Sequence, residues 1–203
     1  MKKLLALFLA IASLLCQAAC SSDYLTDEEA QAFFEVHRAE LDAAAEAVLA
    51  ITDGKRSAVF FDNCYILSDE LNAGCNRSRH SSLRHEIFEE EIKALWQYNE
   101  ISEIVCSDGG AKRRVSFELR CRSGQLSKAL YYLPDGGPRD YSFLEDVSLD
   151  PSDERFLTSD FELREEEDGT LIYIDHIKHY YFSIRPLDGA WYYVTETENF
   201  GAE

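Results

Sequence analysis

At 203 residues, with 46% apolar and 12% aromatic side chains, the chain suits one domain with a sizeable core and is tight for two. Its 38 Asp and Glu outweigh 20 Lys and Arg, a formal charge of −18. That balance argues against nucleic acid and anionic lipid headgroups, whose binding depends on basic side chains, and favours solubility and a cationic partner.

The chain opens with Lys2 and Lys3, then an apolar run from Leu4 to Leu15 broken only by Ser13, then the small residues Ala18 and Ala19. These are the parts of a secretory signal peptide. Residues 1–19 are read as that signal, 20–25 as a short tether and 26–198 as a single domain. The apolar run is shorter than the roughly 20 residues needed to span a bilayer, and no later segment is long and apolar enough. Loss of Lys2 and Lys3 with the leader brings the formal charge to −20.

The stretch Leu15-Cys16-Gln17-Ala18-Ala19-Cys20-Ser21-Ser22 resembles a bacterial lipoprotein signal. Ala18 and Ala19 fit the positions before an acylated Cys20. Gln17 departs from the aliphatic residue usual there, and bulky Leu15 makes Cys16 the poorer acceptor. The resemblance implies lipidation at Cys20. With Ser21 rather than Asp next, it implies an outer-membrane lipoprotein facing the periplasm. A soluble secreted or periplasmic protein is the alternative. This likeness covers the leader only and supplies an address, not an activity.

Thr26 with Glu29 three residues on is a capping box, and the helix it opens runs to about Ala50. Ala30, Phe33, Val36 or His37, Leu41, Ala44, Ala45 and Val48 form its apolar stripe. Asp53-Gly54 ends it. Ser57 to Phe61 reads as a short strand. After the polar stretch Asn76 to Ser82, a second helix is predicted from about Leu83 to Ile101, burying Leu83, Ile87, Phe88, Leu95 and Tyr98, with Ile92 and Trp96 widening the stripe.

Beyond Asp108-Gly109-Gly110 the period changes to two. Val115, Phe117, Leu119 and Cys121 alternate with Ser116, Glu118, Arg120 and Arg122. A strand from Leu126 to Leu133 and a loop at Pro134–Pro138 follow. Glu145 to Asp168 holds eleven acidic residues against Arg155 and Arg164, and includes a strand at Phe161–Arg164. Asp168-Gly169 signals a hairpin into a long strand, Leu171–Ile184, and Asp188-Gly189 turns the chain into Trp191–Thr195.

The expected fold is therefore α+β: two N-terminal helices packed on a curved antiparallel sheet of about five or six strands. The layout is similar to that of cystatin-like or NTF2-like folds, a likeness of arrangement only.

Cys64, Cys75, Cys106 and Cys121 are even in number in a chain read as exported, which predicts two disulfides. Of three pairings, Cys64–Cys75 and Cys106–Cys121 close the shorter loops. A zinc site would need closer Cys spacing.

The remaining motifs point away from catalysis. Asp175, His176 and His179 are close in sequence, yet 176 and 179 face opposite ways on a strand, so no metal is expected there. His80 and His85 face apart. No Cys-x-x-Cys pair, nucleophile elbow or phosphate-cradling glycine loop occurs. Lys112-Arg113-Arg114 is a small basic cluster at a hairpin end. A working carboxylate pair cannot be singled out from 38 acids. No catalytic residue, cofactor or metal is assigned.

Tyr131 and Tyr132, Tyr180 and Tyr181, and Trp191, Tyr192 and Tyr193 fall on three strands, and alternation puts some of them away from the helices. Aromatics with polar tips on a sheet suit a binding surface; core packing with cross-strand pairing is the other reading. The sequence thus predicts a non-catalytic exported protein that binds a cationic protein or a small ligand, one form being an inhibitor or immunity-type protein. A structural accessory subunit of an envelope assembly and a carboxylate-dependent envelope hydrolase are the alternatives. Contact with a membrane is expected only through the lipid, and none with nucleic acid.

Overall fold

The computed structural model describes residues 25–52, 57–67, 84–108, 112–120, 126–141 and 147–198. Two α-helices and ten strands make up the described regular structure, with two short 3₁₀ turns at 138–140 and 154–157. The strands form one antiparallel sheet, in the order β3-β2-β1-β4-β5-β6-β10-β9-β8-β7.

Helix α1, Asp27–Ile51, starts where its capping box places it. Thr26 Oγ1 accepts from Glu29 N at 3.2 Å, while Thr26 N donates to Glu29 Oε2 at 2.7 Å. Its inward stripe is Ala30, Phe33, Phe34, Leu41, Ala44, Ala45 and Val48. His37 takes the intervening place, its ring 4.2 Å from that of Tyr98, and Val36 points outward. At the far end Thr52 Oγ1 donates to Val48 O at 2.9 Å, closing the last turn before Asp53-Gly54, which lies outside the described residues.

The expectation of two N-terminal helices on a curved sheet of five or six strands is corrected here. Ten strands are present, the sheet is not curled, and α2 (Glu90–Leu95) follows three strands instead of preceding the sheet. β1 (Ala58–Phe61), β2 (Cys64–Leu67) and β3 (His85–Glu86) form one end of the sheet. His85 and Glu86, read as helix, pair instead with Tyr65 and Cys64. Ile101, read as the end of that helix, opens β4 (Ile101–Asp108), which lies between β1 and β5. A short helix leaves unclaimed the segment that a longer one would have used, and pairing along both edges of β4 satisfies its backbone.

β5 (Arg113–Leu119) and β6 (Leu126–Tyr132) continue the meander. β7 (Phe161–Glu165), β8 (Leu171–Asp175), β9 (Tyr180–Asp188) and β10 (Trp191–Thr197) complete it, with β10 beside β6. Gly169 (φ 83°) and Gly189 (φ 60°) take the left-handed conformation in the hairpins signalled by Asp168-Gly169 and Asp188-Gly189. Pro186 sits where the β9–β10 register slips between Trp191 and Tyr192, an irregularity that admits proline inside a sheet.

The long strand expected over Leu171–Ile184 is two strands. Asp175 is buried, and its Oδ1 accepts from Ile177 N at 3.0 Å and Lys178 N at 2.9 Å, folding 176–179 into a turn. His179 adopts φ 52° there. No glycine marks this turn, so its sequence reads straight through.

Alternation divides the sheet between two cores. Beneath α1 lie Phe60, Ile104, Val115, Phe117, Leu130, Trp191 and Tyr193. On the opposite face Ala129, Tyr131, Tyr173, Phe182, Ile184 and Val194 meet Tyr141, Val147 and Leu149 from the segment after β6. No described helix is long and apolar enough to cross a membrane.

Candidate functional site

α1 is fastened to the sheet by its own carboxylates. Trp191 Nε1 donates to Asp42 Oδ1 at 2.6 Å, Tyr132 Oη to Glu46 Oε1 at 2.6 Å, and Tyr193 Oη to Asp27 Oδ1 at 2.8 Å. Lys128 Nζ also reaches Asp27, at 2.7 Å. Each contact gives a polar tip a charged acceptor as its ring is buried, the arrangement a buried Trp or Tyr requires.

The seven aromatic residues expected to form a surface are therefore distributed. Tyr132, Trp191 and Tyr193 lie under the helix, with Trp191 and Tyr193 buried. Tyr131, Tyr180 and Tyr192 belong to the opposite core, where Tyr131 is buried and the other two are partly so. Tyr181 is half-buried on β9, opposite Ile174 and Thr197.

The disulfide expectation is corrected. Cys64 and Cys106 are free thiols. Cys106 is buried beneath α1 between register partners Ala58 and Val115, its Sγ 3.5 Å from Thr52 Oγ1. The Cys64 thiol donates to Phe61 O at 3.3 Å, and burial pushes its pKa up. Inside the hairpin it is held by a local hydrogen bond. Cys75 and Cys121, the partners expected for these two thiols, lie outside the described residues, as do the leader, Cys20 and His80.

Strand alternation also separates the basic cluster. Lys112 Nζ donates to Asp135 O at 2.8 Å, Arg113 to Leu49 O at 2.9 Å and to Thr52 Oγ1, while Arg114 turns to the opposite face, 5.0 Å from the Tyr131 ring centre. His176 and His179 are exposed in the Asp175 turn, and His85 stacks on Tyr65 at 4.9 Å.

Three arrangements have chemical potential. At the outer end of the sheet, Leu157 is 85% exposed just before β7 and Ile177 is 64% exposed just after β8. His176 N bonds Asp160 O at 2.8 Å, tying the two approaches together. The stretch Asp150–Asp168 around them carries nine acids against Arg155 and Arg164. Arg164 is held by Glu166 at 2.9 Å and faces Glu162 at 3.8 Å, so its charge is already spoken for.

A second arrangement is a cleft of about 530 Å3 between α1 and β9, walled by Phe34, Glu35, Arg38, Asp168, Arg185 and Leu187 among others. Arg38 is pinned by Asp42 at 3.1 Å and by Asp188. Arg185 has its guanidinium 5.3 Å from the Tyr193 ring centre, and its Nη2 is buried with no hydrogen-bond partner.

The third is an ionisable group on the face away from α1. Glu118 on β5 has its carboxyl pushed up to about 7, chiefly by burial and further by Glu196 and Glu103, against a hydrogen bond from Ser116 and the charge of Arg114. Ser127 Oγ also donates to Glu118 Oε2 at 3.4 Å. Glu196 on β10 is raised too, again mainly by burial. No group of His, Cys, Asp and Glu suited to a metal ion occurs among the described residues.

Comparison with protein-family models, curated proteins and solved structures finds no match. The exposed Ile177 had a faint sequence signal, a single large apolar residue in polar surroundings, whereas Leu157 directly follows Phe156 and had none. Arg185 and Glu35, which share the cleft while 150 positions apart in the chain, had none.

Proposed function

We propose that this protein is a non-catalytic binding protein of the bacterial envelope, exported by its leader, anchored through Cys20, and docking a cationic protein at the β7 end of its sheet. The observation that supports the docking surface is the exposure of Leu157 (85%), inside the acidic Asp150–Asp168 stretch, and of Ile177 (64%), tied to it through the His176 N to Asp160 O bond. Large apolar side chains at the centre of a charged rim are the usual composition of a protein interface. The surrounding carboxylates would steer a basic partner and raise its association rate. An inhibitor or immunity-type protein is one form of this function.

A photo-crosslinking residue at Leu157 in the producing cell tests it. A cross-linked basic protein is expected at Leu157, lost when Glu162, Glu165 and Glu166 are changed to Gln, and absent when the probe stands at Val36 on the exposed side of α1. Identical products at both positions, or none at Leu157, would refute the docking surface. The anchor is tested separately by lipid labelling of the wild type and of Cys20→Ser.

A carboxylate-dependent hydrolase is a second reading, favoured by one observation. Glu118, raised to about 7 and diagonally across β6 from Glu196, has the protonation a general acid needs near neutrality. Turnover of an envelope glycan that disappears in Glu118→Gln, with cross-linking at Leu157 unaffected, would place the activity there.

A further inference from the structure

We infer that the cleft between α1 and β9 is a second binding site, for a short zwitterionic peptide whose carboxylate is drawn to Arg185 and whose ammonium is drawn to Glu35 and Asp168. The volume, about 530 Å3, falls in the roughly 300–1,000 Å3 range of pockets that take small organic molecules.

The charges decide the ligand class. Arg38 is already matched by Asp42 and Asp188, so it adds no free positive charge. Arg185 differs. One face of its guanidinium rests against Tyr193, and the buried Nη2 has no acceptor from the protein. The Arg185 charge acts on Asp168 and Asp27 without a direct bond to either, so a donor that lacks an acceptor gains from an anion brought within hydrogen-bond reach. Glu35 and Asp168 supply negative charge in the same cleft. Glu35 accepts from Gln31 Nε2 at 3.0 Å, and Asp168 from Thr170 N at 3.0 Å, hydrogen bonds that hold both carboxylates in place; Asp168 also feels the charge of Arg185, whereas Glu35 has only this neutral partner among the described residues. A simple anion would meet these two acids, and a simple cation would meet Arg185. A molecule carrying both charges avoids either conflict.

Phe34, Pro186 and Leu187 line the same space and offer apolar surface to side chains between the two charged ends. The site shares Asp168 with the acidic Asp150–Asp168 stretch but none of Leu157, Ile177, Glu162, Glu165 and Glu166, and it does not depend on a protein partner docking there.

Calorimetric titration of the purified protein with the dipeptide Leu-Leu, its N-acetyl form and its C-terminal amide tests this inference. The free dipeptide should bind saturably, and each blocked form at least about ten-fold more weakly, since each leaves one charged wall unpaired. Glu35→Gln, on the exposed side of α1, should weaken the free dipeptide and leave the N-acetyl form unchanged. Arg185→Gln should weaken the free dipeptide and the N-acetyl form alike, with circular dichroism confirming the fold. Absence of saturable binding, equal binding of all three forms, indifference to Glu35→Gln, or equally tight binding of free leucine would overturn the assignment.

Discussion

Replacing Glu118 by Gln should make the protein more stable at neutral pH and leave it unchanged in acid. Glu118 lies on β5 on the face away from α1, opposite Ala129 in the register and diagonally across from Glu196. Arg114 faces it from its own strand, Glu103 from β4 and Ser127 from β6. Burial dominates, so the folded carboxyl titrates near 7 against 4.5 when unfolded.

Below about pH 4.5 both states hold the proton and the residue has no effect on the equilibrium. Between there and about pH 7 the unfolded chain ionises while the native one stays protonated, so stability falls as pH rises. At about 1.4 kcal/mol per pH unit the gap carries up to roughly 3 kcal/mol. Gln keeps the shape and an acceptor for Ser127 but cannot ionise.

Urea unfolding followed by tryptophan fluorescence from about pH 4 to about pH 8 measures the difference. Wild type and Glu118→Gln should coincide at the acid end and diverge by up to roughly 3 kcal/mol above pH 7, or roughly 6–12 °C in Tm for a domain of this size. A difference that is constant with pH, or a less stable Glu118→Gln at pH 8, would refute the burial argument.

Asp42→Ala removes the acceptor of Trp191 Nε1 and a partner of Arg38, and should cost about 1–3 kcal/mol in the same urea assay. Thr26→Ala should cost about 1 kcal/mol by opening the capping box, with a matching loss of helical ellipticity near the N-terminus of α1. Asp175→Ala should cost about 1–3 kcal/mol because two backbone donors lose their acceptor, while His176→Ala and His179→Ala stay within about 0.5 kcal/mol and added zinc leaves Tm unchanged. A thiol reagent in native buffer should modify Cys64, and Cys106 only on unfolding; mass spectrometry of labelled peptides distinguishes them.

Local signals in the sequence carried over well wherever a short-range mechanism acted. The capping box at Thr26 fixed the start of α1, and the Asp-Gly pairs at 168–169 and 188–189 placed two hairpins. Val115, Phe117 and Leu119 alternated as a strand, though the face expected to be outward is covered as well, with Ser116 buried. Failures came where a long-range pairing decided the outcome. Ile87, Ile92 and Leu95 are all buried, as in the predicted helix, but only Glu90–Leu95 is α-helical, because β2 claims His85-Glu86 and β5 claims Ile101. The turn at 176–179 was hidden because Asp175 and a left-handed His179 do the work that glycine usually does.

Site residues were less legible still. Alternation correctly implied that adjacent aromatics part to opposite faces, but not that carboxylates of α1 would bind the tips of Tyr132, Trp191 and Tyr193. An even cysteine count suggested bridges, whereas Cys64 is held as a thiol by a local hydrogen bond to Phe61 O and Cys106 lies buried against Thr52, 54 positions away. Composition reports how many acids a chain has, and only the fold tells which of them are occupied.

The latch between α1 and β10 also sets an order of assembly. Asp42 waits for Trp191 and Asp27 for Tyr193, partners 149 and 166 positions later. Hairpins such as β7–β8 can close as soon as they exist, but the first helix gains Trp191 and Tyr193, and the two bonds they donate, only when the final described strand has arrived. During synthesis or threading from the amino end, that helix can rest on Phe60, Ile104 and Phe117 but stays unlatched for nearly the whole passage. A nascent chain stalled before Trp191 should therefore be cut readily by protease along α1, whereas the finished chain should resist.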